Sequence, residues 1–261
     1  MSVYSLLGAP QLGQMHTRLI FALDVATVPE AVELVKLLRN EVGMFKVGKQ
    51  LFLHAGPEIV RAIKEQGGEV FLDLKFHDIP RTVAKAGAEA TRLGVRMFDL
   101  HASGSVAMMR QTIAEVNKVC RTEHLVRPKL LAVTVLTSLD HDDLRRLGVR
   151  SGVESQVVRL ARLAREAGMD GVVASPHEVP RIRKECGRKF LIVTPGIRPP
   201  RGAMDDQKRM MTPEAAIRAG ANYLVVGSPI RNAADPVAAA RAIVAAMERG
   251  AATLGTGASH S

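Results

Sequence analysis

Short runs of β-branched and other apolar residues recur along the chain, and after each the apolar positions open out to a spacing of three and four. The first pattern predicts buried strands and the second amphipathic helices, so their alternation predicts a chain of βα units. Strands are expected at Leu19–Val25, Met44–Lys49, Val70–Lys75, Val95–His101, Lys129–Leu136, Gly171–Ala174, Phe190–Thr194 and Tyr223–Gly227. Helices are expected over Pro29–Asn40, Pro57–Gln66, Thr82–Leu93, Val106–Cys120, Ser155–Ala167, His177–Cys186, Pro213–Ala219 and Pro236–Arg249. Gly43, Gly67, Gly68, Gly94, Gly148, Gly168, Gly187 and Gly220 stand where these helices should stop, as a left-handed C-terminal cap prefers. Eight such units suit an α/β fold of the closed (β/α)8 TIM-barrel type, which usually takes about 250 residues. An open doubly wound sheet is disfavoured, because no G-x-G-x-x-G follows the first strand. No linker or compositional break divides the chain, so a single barrel domain is expected over residues 17–250. An N-terminal extension, residues 1–16, and an Ala/Gly/Thr/Ser-rich tail, residues 251–261, are expected to fray.

Composition narrows the partners. The 261 residues are 47% apolar and carry a formal charge of +10, which suits nucleic acid, an acidic membrane or a small anionic substrate. Nucleic acid is disfavoured: the chain has no Trp, only two Tyr and seven Phe, and single-strand binders need aromatic faces for stacking. Its densest basic stretch, Arg181, Arg183, Lys184, Arg188 and Lys189, reads as a solvated helix face. No stretch approaches a membrane span, and the first residues lack the pattern of a secretory signal, so a cytoplasmic protein is expected. Cys120 and Cys186 stand far apart without companions at ligand spacing, which predicts two reduced thiols and no zinc site.

In such a barrel the chemistry sits at the C-terminal ends of the strands. Polar residues collect there: Asp24, Lys46, Asp73 with Lys75, Asp99 with His101, Thr137 with Ser138, Ser175, Thr194 with Arg198, and Ser228. The third strand is the most informative. Side chains alternate along a strand, so Asp73 and Lys75 share the face of Phe71, while Leu72 and Leu74 share the other. Both charges are therefore expected to point inward, where each costs several kcal/mol to desolvate unless paired. A structural ion pair needs only two residues. Asp24 and Lys46 add a second acid and a second base at equivalent strand ends, and four charges favour catalysis over packing. Asp78 has the opposite parity to Lys75 and precedes Ile79-Pro80, so it must reach its own pocket by a loop, or reach another subunit's pocket.

The run Leu72-Asp73-Leu74-Lys75-Phe76-His77-Asp78-Ile79-Pro80-Arg81-Thr82-Val83 resembles the D-x-K-x-x-D-I-P-x-T signature of the orotidine 5'-phosphate decarboxylases. Further matches follow in order: Ala22-Leu23-Asp24, Phe45-Lys46-Val47-Gly48, His101-Ala102-Ser103-Gly104, Thr134 to Ser138, Thr194-Pro195-Gly196-Ile197-Arg198, Asp206-Gln207, and Val226-Gly227 with Pro229-Ile230. The resemblance runs from about residue 18 to 249. It implies removal of CO2 from orotidine monophosphate to give uridine monophosphate in pyrimidine synthesis, without metal or organic cofactor. It further implies that Lys75 faces the carbanion formed as CO2 leaves and then protonates that carbon. Asp73 is implied to stand beside the substrate's own carboxylate. Asp24 and Lys46 resemble the ribose-contacting pair, with Lys46 also in the alternating Lys-Asp-Lys-Asp array. Asp78 and Thr82 are implied to come from the second subunit of a homodimer. Thr137, and Ser138 beside it, would meet the pyrimidine edge, although both hydroxyls also suit turn caps. Arg198 and Gln207 match phosphate and pyrimidine contacts, and residues 199–211 suit a mobile lid.

One position departs from the family pattern. Where the family presents Arg after Val226-Gly227, this chain has Ser228, and an arginine follows at Arg231. Gly227 and Ser228 still offer backbone N–H groups at a helix start for a phosphate. Arg81, where Asn is more usual, is a smaller departure. Two other readings stay open: a metal-dependent aldolase of the hexulose-phosphate synthase type, with the same D-x-K-x-x-D strand, and a non-catalytic nucleotide-binding barrel.

Overall fold

The computed structural model describes residues 12–198 and 211–256. The chain opens with a 3-10 helix, Leu12–Arg18, and then alternates strands and helices. In order these are β1 (Leu19–Ala22), α1 (Val28–Leu38), β2 (Met44–Gly48), α2 (Lys49–Ala55), α3 (Glu58–Glu65), β3 (Val70–Phe76), α4 (Pro80–Arg92), β4 (Met97–His101), α5 (Val106–Thr122) and β5 (Lys129–Val133). The second half comprises α6 (His141–Arg146), α7 (Val153–Ala167), β6 (Gly171–Val173), α8 (Val179–Cys186), β7 (Leu191–Thr194), α9 (Pro213–Ala219), β8 (Tyr223–Val226), α10 (Ser228–Arg231) and α11 (Pro236–Thr256). Each strand pairs in parallel with the next and β8 pairs with β1, so the sheet closes into the expected barrel in sequence order.

Strand parity sorts the side chains into two cores. Ile20, Ala22, Met44, Phe71, Met97, Leu131, Val193 and Val225 point inward and fill the barrel, while the alternate residues join the larger core beneath the helices. The inward set fixes the site. Two residues beyond Ala22, Met44, Phe71 and Met97 on the same face come Asp24, Lys46, Asp73 and Asp99, all at the C-terminal mouth.

Several boundaries differ from the sequence reading. Met15 is buried and Arg18 donates to the carbonyls of Asn222 and Ala221, so Leu12–His16 of the expected frayed extension lie in an ordered turn against the barrel. At the other end α11 continues past Arg249 to Thr256, into the expected tail. Gly250 does not stop it, because α11 crosses the start of α9 so closely that a Cβ there would meet the Glu214 carbonyl oxygen at 2.3 Å. Gly168 and Gly220 do adopt the left-handed cap. Gly43 and Gly68 do not, and their reason is space: a Cβ would lie 2.1 Å from the Thr17 carbonyl oxygen or 2.8 Å from Ile63 Cγ2. The short helices α2, α6 and α10 were not anticipated. For α6 a local signal exists: Asp140 accepts from the Asp142 and Asp143 N–H groups while Asp143 accepts from Asp140 N–H, a reciprocal cap.

Candidate active site

The barrel mouth opens into a cavity of about 230 Å3 whose lining includes Lys46, Phe71, Asp73, Lys75, Thr137 and Pro195. Asp73 anchors the charges at its floor. Its Oδ1 pairs with the Lys75 ammonium, and its Oδ2 lies 3.2 Å from Lys46 Nζ. Lys46 Nζ in turn lies 3.3 Å from Asp24 Oδ1. Four expected residues therefore form one chain of alternating sign, Asp24, Lys46, Asp73 and Lys75, across three adjacent strand ends.

Burial raises the stakes of each pairing. Desolvation pushes the Asp73 carboxyl up, yet the Lys46 charge, a hydrogen bond with Asp99 and the Lys75 ammonium outweigh it and hold its pKa at about 2. Desolvation likewise depresses Lys46, but the carboxylates of Asp73 and Asp24 prevail and leave its pKa above the ordinary lysine value. His101, at the end of β4, is lowered to about 4 by burial and by the neighbouring His77, Lys75 and Lys49. Its ring lies 5.2 Å from that of His77. At neutral pH the His101 imidazole is therefore neutral and the Lys46 ammonium charged.

Lys75 owes its direction to an irregular strand. Its φ is +52°, in the left-handed region that lysine seldom adopts, and the pairing of β3 with β4 shifts register there. Asp99 takes part in this irregularity, its Oδ1 accepting from the Lys75 backbone N–H at 2.8 Å. Sequence reading noted Asp99 only as one polar strand end among many.

The remaining expected residues lie elsewhere. Asp78 is exposed on the connection from β3 into α4 and Thr82 in the first turn of α4, both outside the cavity lining, and Asp78 Oδ1 accepts from the Ile79 N–H at 2.6 Å. Arg198 is exposed, and its backbone N–H points to the Met211 carbonyl, where an Ile197–Met211 bridge brings together the ends of the 199–210 segment. Residues 199–210 of the expected 199–211 lid, Gln207 among them, lie outside the described residues. Gly227 lies against β1, where a Cβ would stand 3.4 Å from Asp24 Oδ2, and Ser228 opens α10 on the same rim. Arg231, one turn later, donates to the Asp24 carbonyl oxygen, which holds its guanidinium over the strand end that carries Asp24. Among the described residues no three His, Cys, Asp or Glu side chains cluster as a metal-ligand group.

Residues 17–243 match the model of the orotidine 5'-phosphate decarboxylase / HUMPS family. The chain belongs to this family. An orotidine 5'-phosphate decarboxylase of Syntrophotalea carbinolica is 56% identical over 243 residues, covering 92% of this chain and all of that protein. One from Geobacter sulfurreducens is 55% identical over 88% of this chain and 96% of its own length. Among solved structures, orotidine 5'-phosphate decarboxylase from Lactobacillus acidophilus superimposes with a TM-score of 0.78 at 37% identity, over 88% of this chain and 98% of that one. The orotidine 5'-phosphate decarboxylase / HUMPS family name also embraces the aldolase alternative, so the similarity of these decarboxylases bears on that choice more than the family model does.

Proposed function

We infer that the chain decarboxylates orotidine 5'-phosphate to uridine 5'-phosphate and CO2, as a carboxy-lyase of pyrimidine nucleotide synthesis that uses no cofactor. The observation that carries this reading is the Lys75 ammonium held against Asp73 at the floor of a cavity, within a Lys-Asp-Lys array. Loss of CO2 leaves an electron pair in the plane of the pyrimidine ring, where no carbonyl conjugates with it. A fixed cation beside that carbon stabilises the charge as it forms, and an ammonium can then deliver the proton the carbon needs. Asp73 orients Lys75 and, as a carboxylate with a pKa of about 2, meets the substrate's own carboxylate as a like charge that CO2 departure removes. Unit charges about 4 Å apart at an effective dielectric of 20 interact by roughly 4 kcal/mol, so this repulsion contributes but leaves most of the acceleration to preorganised charge.

Asp24 and Lys46 would hold the ribose, and Thr137 the pyrimidine edge. Gly227, Ser228 and Arg198, with Gln207, would take the phosphate end and the base. Arg231, already turned back over β1, supplies a cation on the same rim in place of an arginine at Ser228. Asp78 and Thr82 face solvent beside Ile79, a large apolar residue 65% exposed, which supports a homodimer in which both reach the partner's cavity. No helix among the described residues is long and apolar enough to cross a membrane, and the substrate chemistry suits a cytoplasmic enzyme.

The direct test follows the ultraviolet absorbance of orotidine 5'-phosphate mixed with the purified chain in excess chelator. A steady spectral change to uridine 5'-phosphate is the expected result. Activity that chelator abolishes supports the aldolase-like reading, and tight uridine 5'-phosphate binding without turnover supports a non-catalytic binder.

A further inference from the structure

Beneath the array lies one buried acid that the reaction as described leaves unused. Asp99 is 1% exposed, less than any other charged residue of the site, and it points into the barrel from β4. Its surroundings are unusual in two ways. First, the β3–β4 register runs Phe71 with Met97 and Leu72 with Phe98, then resumes at Phe76 with Leu100. Between those pairs Asp73, Leu74 and Lys75 of β3 stand opposite Asp99 alone. The Asp99 carboxyl fills the resulting bulge, and its Oδ1 takes the Lys75 N–H at 2.8 Å in place of a strand carbonyl. That bond meets the one strand residue here with a left-handed φ.

Second, Asp99 Oδ2 is buried with no N–H or O–H donor from another described residue. The Asp73 carboxyl lies within hydrogen-bonding reach of the Asp99 side chain, and two carboxyls attract only when one carries a proton. Asp73, between two lysines, is the one held ionised.

We propose that Asp99 is a positioning residue: protonated, it donates from one oxygen to Asp73 while its other oxygen pins the Lys75 backbone, and so aims the Lys75 ammonium into the cavity. The proposal rests on the reading of Lys75 and Asp73 as the reacting pair. Protonation also settles the charge of the floor. With Asp99 neutral, two lysines balance Asp24 and Asp73, whereas an ionised Asp99 would add an uncompensated negative charge beneath an incoming carboxylate. The β5 residue in register with Asp99 is the apolar Leu131, which offers such a charge no compensation.

The experiment compares Asp99→Ala and Asp99→Asn with the unaltered chain. Asparagine keeps an acceptor for the Lys75 N–H and replaces the proton with an amide donor toward Asp73; alanine keeps neither. Asp99→Ala is expected to lower kcat on orotidine 5'-phosphate about 100-fold with KM changed less than about 3-fold, the pattern of a misaimed reacting group. Asp99→Asn is expected to recover kcat to within about 5-fold of the unaltered chain. In substrate-free protein at neutral pH, the infrared difference between the unaltered chain and Asp99→Asn should contain the C=O stretch of a protonated carboxyl. An asparagine variant as impaired as a well-folded alanine variant, an alanine variant with unchanged kcat, or absence of that band each overturns the proposal. Should alanine fail to fold, asparagine and the infrared band still decide. Should the unaltered chain not turn over orotidine 5'-phosphate at all, the functional reading fails, and the band separately reports whether Asp99 holds its proton.

Discussion

Replacing Lys75 with alanine removes the ammonium paired with Asp73 and leaves the apolar walls of the barrel intact. Turnover of orotidine 5'-phosphate is expected to fall by about 10⁴-fold or more, since in the proposed reaction one group both stabilises charge and delivers a proton. Circular dichroism and gel filtration should be unchanged, and near-normal turnover would remove Lys75 from the mechanism. Asp99 makes a second prediction at this scale. Burial and the Asp73 charge raise its carboxyl far above the ordinary 3.8. Above about that pH the unfolded chain has released this proton and the folded chain has not, so the group's contribution to stability declines as pH rises. Asparagine has no such proton in either state. Urea midpoints of Asp99→Asn relative to the unaltered chain should therefore increase steadily from about pH 4 to pH 7. His101 acts in the opposite sense. Its folded value near 4 lies below the ordinary 6.5, so the stability it contributes is lost as pH falls between them, and Asp73 follows as pH falls from 3.8 through about 2. Sequence parity was enough to turn Asp73 inward, whereas Lys75 reaches the cavity through an irregularity of β3 that parity does not contain. It could not assign Asp99, because the role of that residue arises from a register shift between β3 and β4, and periodicity carries no trace of one strand gaining residues on its neighbour.

Eight strands and their order were legible in the apolar runs, because a parallel strand buried on both faces has to be apolar throughout. Their ends were less so. The expected strands of β1 and β5 ran on to Val25 and Leu136, but the ladders close at Ala22 and Val133, where the chain peels away to build the mouth. Apolar residues continue past those points because Val25 and Val135 are still buried in the apolar core. Glycines carry a similar ambiguity, since a residue chosen for close approach reads the same as one chosen for its φ. Gly171 at the start of β6 is the sharpest case of close approach: a Cβ there would fall 2.2 Å from the Leu191 carbonyl oxygen on β7. Gly171→Ala is expected to cost about 3 kcal/mol in urea unfolding, the upper end for overpacking, because the obstructing atom is backbone and cannot rotate away. A loss below about 0.5 kcal/mol would show that β6 and β7 can separate there without penalty.

For the assembled molecule, the decisive residues are those the single chain leaves unused. If Asp78 completes the partner's cavity, Lys75→Ala and Asp78→Ala subunits are each inactive alone but complementary. After equal mixing and subunit exchange, about half the dimers are hybrids with one intact site each, restoring about a quarter of the full complement of sites. No recovery under demonstrated exchange would place Asp78 in its own subunit's chemistry or outside the chemistry altogether. The surplus of +10 belongs to this scale too. A cation-rich enzyme steers an anionic nucleotide through solvent, so kcat/KM should decline with added salt more than kcat does.

The left-handed turn at Lys75 has a further consequence for any lineage of this protein. A glycine at that position would relax the backbone by about 1–2 kcal/mol and abolish the ammonium together. Selection for heat resistance alone, blind to turnover, is therefore expected to erase this lysine early, and its persistence in a hardened variant would be a signature that catalysis had been kept under selection.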